Sequence, residues 1–205
     1  MPQQHYFSEQ PLSEATTHSV DFEVEGQAFS MEAASGTFSA TKLDQGTRVL
    51  LNASSFFPSA GDVLDIGCGW GPISLSIAAL RPNTQVWGLD VNSRALELAT
   101  TNASKLKLDN FRAVRAEDIP VDLRFDAIWS NPPIRVGKSV LHDLMRSWLP
   151  RLKPTGVAML VVQKQLGAEA FQKWLAAQFP EFLVQRHSID KGYRVIRVTN
   201  PATPQ

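Results

Sequence analysis

Cysteine is nearly missing from these 205 residues: Cys68 stands alone, so no disulfide can close within the chain. Residues 1–30 lack the basic start and apolar run of a secretory signal. Together these absences predict a protein of the reducing cytoplasm. Long apolar runs are missing too. The longest nearly apolar stretch, Gly156 to Val162, falls far short of the roughly 20 residues a spanning helix requires, so no membrane partner is expected. Net charge is also absent, with 20 Lys and Arg against 20 Asp and Glu. That balance excludes a uniformly basic nucleic-acid coat and an acidic solvating tail. His5, His18, His142 and His187 show no mutual spacing for a metal and have no cysteine partners, so no metal is predicted.

What is present is an ordinary globular composition, 43% hydrophobic and 20% charged, of a length that suits one domain. The first 41 residues hold no Lys or Arg and read as a distinct appendage. Within them Val20, Phe22 and Val24 alternate with acids, and Gly26-Gln27 separates them from Ala28 to Met31, a hairpin pattern. A short helix is expected over 47–57, ended by Pro58 and Gly61. Strands expected at 63–66, 85–89, 111–115, 125–129 and 157–162 then alternate with helices at 72–80, 93–106, 138–152 and 168–179. Ser93 is the expected cap of the second of these helices, and a strand pair at 182–187 and 193–198 closes the chain. The reading is α/β: a mainly parallel seven-stranded sheet, helices on both faces, an antiparallel C-terminal edge and an N-terminal hairpin. The expected division is an arm and hairpin over 1–46, a main domain over 47–200 and a disordered tail over 201–205.

In such sheets ligands bind beyond the carboxyl ends of the strands, and the distinctive residues fall there. Asp65-Ile66-Gly67-Cys68-Gly69-Trp70-Gly71 joins the first parallel strand to its helix. Its spacing is G-x-G-x-G behind an acid, not the G-x-G-x-x-G that feeds a pyrophosphate onto a helix end. An acid there repels pyrophosphate and suits the ammonium of a zwitterionic ligand such as S-adenosylmethionine. The bland alternative makes Asp65 a helix cap beside a tight turn. Asp90 ends the next strand, where an acid accepts from ribose hydroxyls, and Asp118 follows the third, placed to accept from an adenine amine. Trp70 is the one tryptophan expected to be exposed, at the loop. Cys68 lies inside this loop, so packing rather than nucleophilic chemistry is expected of it.

Asp65 to Gly71, Asp90, Asp118 and Asn131-Pro132-Pro133 resemble the ordered motifs of Rossmann-like class I S-adenosylmethionine-dependent methyltransferases, across about residues 48–165. More narrowly, His5 to Ser8, Gly36 to Ser39, Leu43-Asp44-Gln45-Gly46-Thr47, Asn131 to Arg135, Gly137-Lys138 and Lys191 to Val195 resemble the methyltransferase small domain family, which includes 16S ribosomal RNA guanine-N2 methyltransferases. The resemblance implies S-adenosylmethionine as cofactor, with Gly67, Cys68, Gly69, Gly71 and Asn131 among the residues that bind it. Ribosomal RNA or the small subunit is the implied partner. It also implies that the segment around Phe38, Lys42 and Gly46-Thr47 covers the cofactor.

An exocyclic amine is a poor nucleophile because its lone pair is delocalised. The Asn131 side-chain carbonyl and the Pro132 main-chain carbonyl can each accept one amine hydrogen and turn that lone pair toward a methyl donor. Pro132 and Pro133 carry no N–H and hold the loop extended. No acid or base is assigned. Ile134 stands where an aromatic usually stacks on the target, so base recognition is expected to draw on Phe38, Tyr193 or Arg135. Protein glutamine N-methylation and a silent RNA-binding module are the alternatives. Residues 1–130 hold nine Lys or Arg against sixteen acids, and residues 131–205 hold eleven against four. The basic part, including Arg135, Lys138, Lys164 and Arg194, is where an RNA backbone is expected.

Overall fold

Alternation of apolar and polar residues builds the first two elements. In β1 (Thr17–Val24) the side chains of Val20, Phe22 and Val24 are buried while Asp21 and Glu23 face out, and β2 (Gln27–Ala34) pairs with it antiparallel. Glu25 and Gly26, both at positive φ, form the two-residue turn that matches the strands' twist. The computed structural model describes residues 16–39, 41–133 and 137–202. Asp44 caps α1 (Gln45–Leu51) by accepting from the Thr47 amide. The helix expected over 47–57 is therefore shorter, and its remainder is a separate 3-10 turn, Ser54–Phe56.

The sheet then forms from β3 (Gly61–Ile66), β4 (Thr84–Leu89), β5 (Phe111–Val114), β6 (Phe125–Ser130), β7 (Leu152–Gln163), β8 (Leu183–Asp190) and β9 (Tyr193–Thr199). Between them lie α2 (Pro72–Leu80), α3 (Ser93–Lys105), α4 (Lys138–Trp148) and α5 (Ala168–Gln178). Asn92, not the expected Ser93, caps α3, because its side chain accepts from the Arg94 amide. α4 stops at Trp148, and β7 begins at Leu152, five residues before the expected start. Leu152 pairs with Phe125, and the register shifts before Val157 pairs with Ala127.

The strand order is β5-β4-β3-β6-β7-β9-β8, with only β9 running against its neighbours. This is the expected Rossmann-like sheet with an antiparallel C-terminal edge. One face packs against the hairpin, α1, α2 and α3 through residues such as Phe22, Leu50, Ile73 and Ala99. The other packs against α4 and α5 through Leu141, Met145, Phe171 and Leu175. The hairpin thus shares its core with the sheet it covers. Among the described residues no helix is long and apolar enough to cross a membrane. Strand order reverses between β3 and β6, which makes their carboxyl ends the place for a ligand. There the Ser130 hydroxyl donates to the Ile66 carbonyl at 2.7 Å, tying the two ends together.

Candidate active site

At the end of β3 the chain must turn at once into α2, and Gly67, Gly69 and Gly71 all take positive φ to do so. The amides of Gly67 and Cys68 both donate to the Leu89 carbonyl, at 2.8 and 2.9 Å, which anchors the loop on β4. A Cβ placed on Gly67 or Gly69 meets nothing within 4 Å, so the bare backbone faces open space. That space is a cleft lined by Phe38, Ser39, Asp44, Thr47, Trp70 and Asn131 as well as the loop itself.

Asp65 is fully buried beneath this loop. Its Oδ2 accepts from the Ser74 amide in α2 at 3.0 Å, which is the helix-capping role weighed above, while Oδ1 has no hydrogen-bond partner among the described residues. Burial pushes its carboxyl up to about 7 against the opposing hydrogen bonding from Ser74. Asp90 sits at the next strand end and accepts from the amides of Gly69 at 3.0 Å and Asn92 at 2.9 Å. Burial raises its carboxyl too, against those hydrogen bonds. The Cys68 thiol is driven well above its usual range, first by burial and then by the neighbouring Asp90 and Asp65. It is the packing residue that was expected, not an activated nucleophile.

At the end of β6, Asn131 is half-buried, Pro132 is buried and Pro133 is half-buried. The Asn131 Nδ2 donates to Asp44 Oδ2 at 2.8 Å and to Thr47 Oγ1 at 3.1 Å. Both of its N–H groups are therefore spent on one side, and its carbonyl oxygen is left on the other.

A strap made of residues 35–39 and 41–44 closes the site from the hairpin side. The Trp70 indole N–H donates to the Phe38 carbonyl at 3.1 Å, Asn92 Nδ2 to the Gly36 carbonyl at 2.9 Å and Arg94 to the Ser35 carbonyl at 3.0 Å. Trp70 is 1% exposed, a correction to the expectation that it would lie open at the loop, because this bond turns its ring inward beside Phe22. Lys42 lies on the strap with its side chain exposed.

Asp65, Gly67, Cys68, Gly69, Gly71, Asp90, Asn131 and Phe38 thus come together at one end of the sheet. Asp118 lies past the end of β5 and is exposed, with Oδ2 accepting from the Arg115 amide at 3.0 Å. Lys138 is exposed at the start of α4, the helix that follows β6, and Lys164 is exposed past the end of β7. Tyr193 begins β9 opposite Gln163, and its ring reaches Gly46, where a Cβ would stand 2.9 Å from it. Arg194 does not join them: the pleat of β9 sends it to the α5 side, where it donates to Gln172 at 2.9 Å. Ile134 and Arg135 lie outside the described residues, as do His5 to Ser8. The residues that sequence reasoning missed are Asp44 and Thr47 as partners of Asn131. Asp44 three residues before Thr47 is a helix-cap signal, but nothing local links it to a position 87 residues away.

An orphaned buried carboxylate oxygen under a bare glycine loop, with a second acid at the adjoining strand end, fits a ligand with a cationic head and a hydroxylated sugar. The methyltransferase small domain family matches residues 28–197. The chain is 32% identical to the uncharacterized protein YbxB of Bacillus subtilis over 197 residues, 95% of this chain and 97% of that one. It is 32% identical to the ribosomal RNA small subunit methyltransferase C of Alcanivorax borkumensis over 79% of this chain and 50% of that protein. To that of Haemophilus influenzae Rd it is 40% identical over 58% of this chain and 36% of the relative. The chain therefore spans half or less of these two methyltransferases. Among solved structures, the T. thermophilus 16S rRNA N2 G1207 methyltransferase in complex with AdoMet and guanosine superposes with a TM-score of 0.77 at 24% identity. That match covers 92% of this chain and 52% of the other, and it shows a shared fold.

Proposed function

Because the chain belongs to the methyltransferase small domain family, we propose that it methylates an exocyclic nucleobase amine, guanine N2 of small-subunit ribosomal RNA, using S-adenosylmethionine. The cofactor supplies an electrophilic methyl group carried on a sulfonium. The glycine loop presents its backbone to the cofactor's amino-acid end, and Asp65 Oδ1 is the anion for its ammonium. Asp90, already oriented by the Gly69 and Asn92 amides, keeps lone pairs for ribose hydroxyls. The observation that carries the reading is the Asn131 amide. With both N–H groups committed to Asp44 and Thr47, its carbonyl is free to accept one hydrogen of the target amine. The Pro132 carbonyl takes the other, and the nitrogen lone pair is left pointing across the cleft toward the loop. The site orients and localises the nucleophile, which is the contribution this chemistry requires.

Transfer of a radiolabelled methyl group to small-subunit RNA or immature subunits tests this. Asn131→Ala is expected to abolish transfer while cofactor binding, read by calorimetry, is retained. Methylation of a protein glutamine and never of RNA refutes the substrate class.

A further inference from the structure

We propose that Asp44 is the positioning residue of the transfer site: its carboxylate dictates which end of the Asn131 amide faces the cleft and polarises the carbonyl presented there. This rests on the reading of Asn131 as acceptor of the target amine. Asp44 Oδ2 accepts twice, from the Thr47 amide at 3.0 Å and from Asn131 Nδ2 at 2.8 Å. A helix cap needs only the first of these bonds. The second crosses from the start of α1 to the end of β6 and joins the strap to the transfer loop.

Two physical consequences follow. Rotating the Asn131 amide by half a turn would set its carbonyl oxygen against the Asp44 carboxylate oxygen, two acceptors with no proton between them. The amide is thereby locked with Oδ1 outward. A hydrogen bond from an amide N–H to an anion also pushes electron density through the nitrogen onto the carbonyl and leaves its oxygen a stronger acceptor. Thr47 Oγ1, 3.1 Å from the same Nδ2, occupies the second N–H. Asp44 is itself held firmly. A Cβ on Gly46 would stand 2.9 Å from Asp44 Oδ2 and 2.9 Å from the Tyr193 ring, so glycine lets that ring close over the turn that carries the carboxylate.

Asp44→Asn separates this role from capping, since Asn is as good a cap as Asp and has the same shape but no charge. The Asn131 side-chain amide resonances, assigned by their loss in Asn131→Ala, report on the bond without cofactor or substrate. In Asp44→Asn they are expected to move upfield while the unfolding midpoint and cofactor affinity hold. kcat falls roughly tenfold with the KM for RNA little changed. Thr47→Ser retains the second acceptor and near-wild-type kcat, whereas Thr47→Val lowers it. Unmoved Asn131 resonances, or wild-type kcat in Asp44→Asn, overturn the proposal. If the wild type methylates no RNA but the resonances still move, the positioning stands and the assigned function falls.

Discussion

At the scale of single residues, the role proposed for Asp65, the acid that opens the glycine loop, implies that cofactor binding is coupled to protons. Burial raises the Asp65 carboxyl to about 7 from an ordinary value near 3.8, so the folded, cofactor-free protein holds a proton the unfolded chain releases. Stability from this group is therefore greatest below about pH 4 and is lost as pH rises through about 7, by an upper bound on the order of 4 kcal/mol. Asp90, raised by burial in the same direction, adds to that slope. An ammonium beside Oδ1 favours the ionised form, so cofactor affinity should rise with pH up to about 7 and binding near pH 6.5 should release a proton. Calorimetry in buffers of different ionisation heat reads that release. Asp65→Asn should weaken binding and remove most of its pH dependence, and a pH-independent affinity in the wild type would defeat the argument.

The same scale shows what one residue's neighbours in sequence can reveal. Asp65, the glycines and Asn131-Pro132-Pro133 were legible because the loop chemistry is local: each motif carries its own turn. Trp70 was misread because its inward turn depends on a carbonyl 32 positions away. Arg194 was misread because the pleat that hides it is fixed by pairing with β7, not by its neighbours in sequence.

At the scale of elements, one asparagine fastens the hairpin to the cofactor loop. Asn102 in α3 is 1% exposed, accepts from the Glu32 amide at 2.8 Å and donates to the carbonyls of Glu32 at 2.8 Å and Trp70 at 2.9 Å. It completes the edge of β2 as a further strand would and pins the glycine loop with the same amide. Asn102→Ala removes three buried bonds and should cost roughly 2–4 kcal/mol, visible as a lowered unfolding midpoint. Asn102→Asp should cost more, since one of its oxygens would face the two carbonyls to which Nδ2 now donates. If Asn102→Ala unfolds at the wild-type midpoint, the hairpin is held by its apolar face alone. Hairpin and strands were readable from their alternation and turn residues, and α2, α4 and α5 start where expected, whereas α1 starts at Gln45, two residues before the expected Thr47, and Asn92 caps α3 in place of Ser93. The strap was not readable. Its carbonyls are held by side chains from two separated places, the glycine loop and the start of α3, and backbone acceptors leave no mark in a sequence.

At the scale of the whole molecule, zero net charge conceals a division that the fold makes spatial. The acidic first part supplies β3, β4 and the cofactor loop, and the basic remainder begins at the transfer motif. Lys138 stands exposed at the start of α4, the helix that follows β6, Lys164 is exposed past the end of β7, and Lys191 is exposed in the turn before Tyr193. If a base reaches Asn131, the backbone that carries it must pass over this end of the sheet, and cations there release counterions from its phosphates. Lys138→Gln and Lys164→Gln should each weaken RNA binding whatever the sequence and lower the slope of log affinity against log salt by about 0.7 to 0.9, with cofactor affinity intact. Arg194→Gln should leave the slope alone, because its side chain is 12% exposed and its guanidinium is held on the α5 side by Gln172 with Glu169 at 4.0 Å. Filter binding across a salt series distinguishes the three. Equal losses from Arg194 and the two lysines would place the RNA on the wrong face of β9, and salt-independent binding would remove the phosphate backbone from the interface altogether.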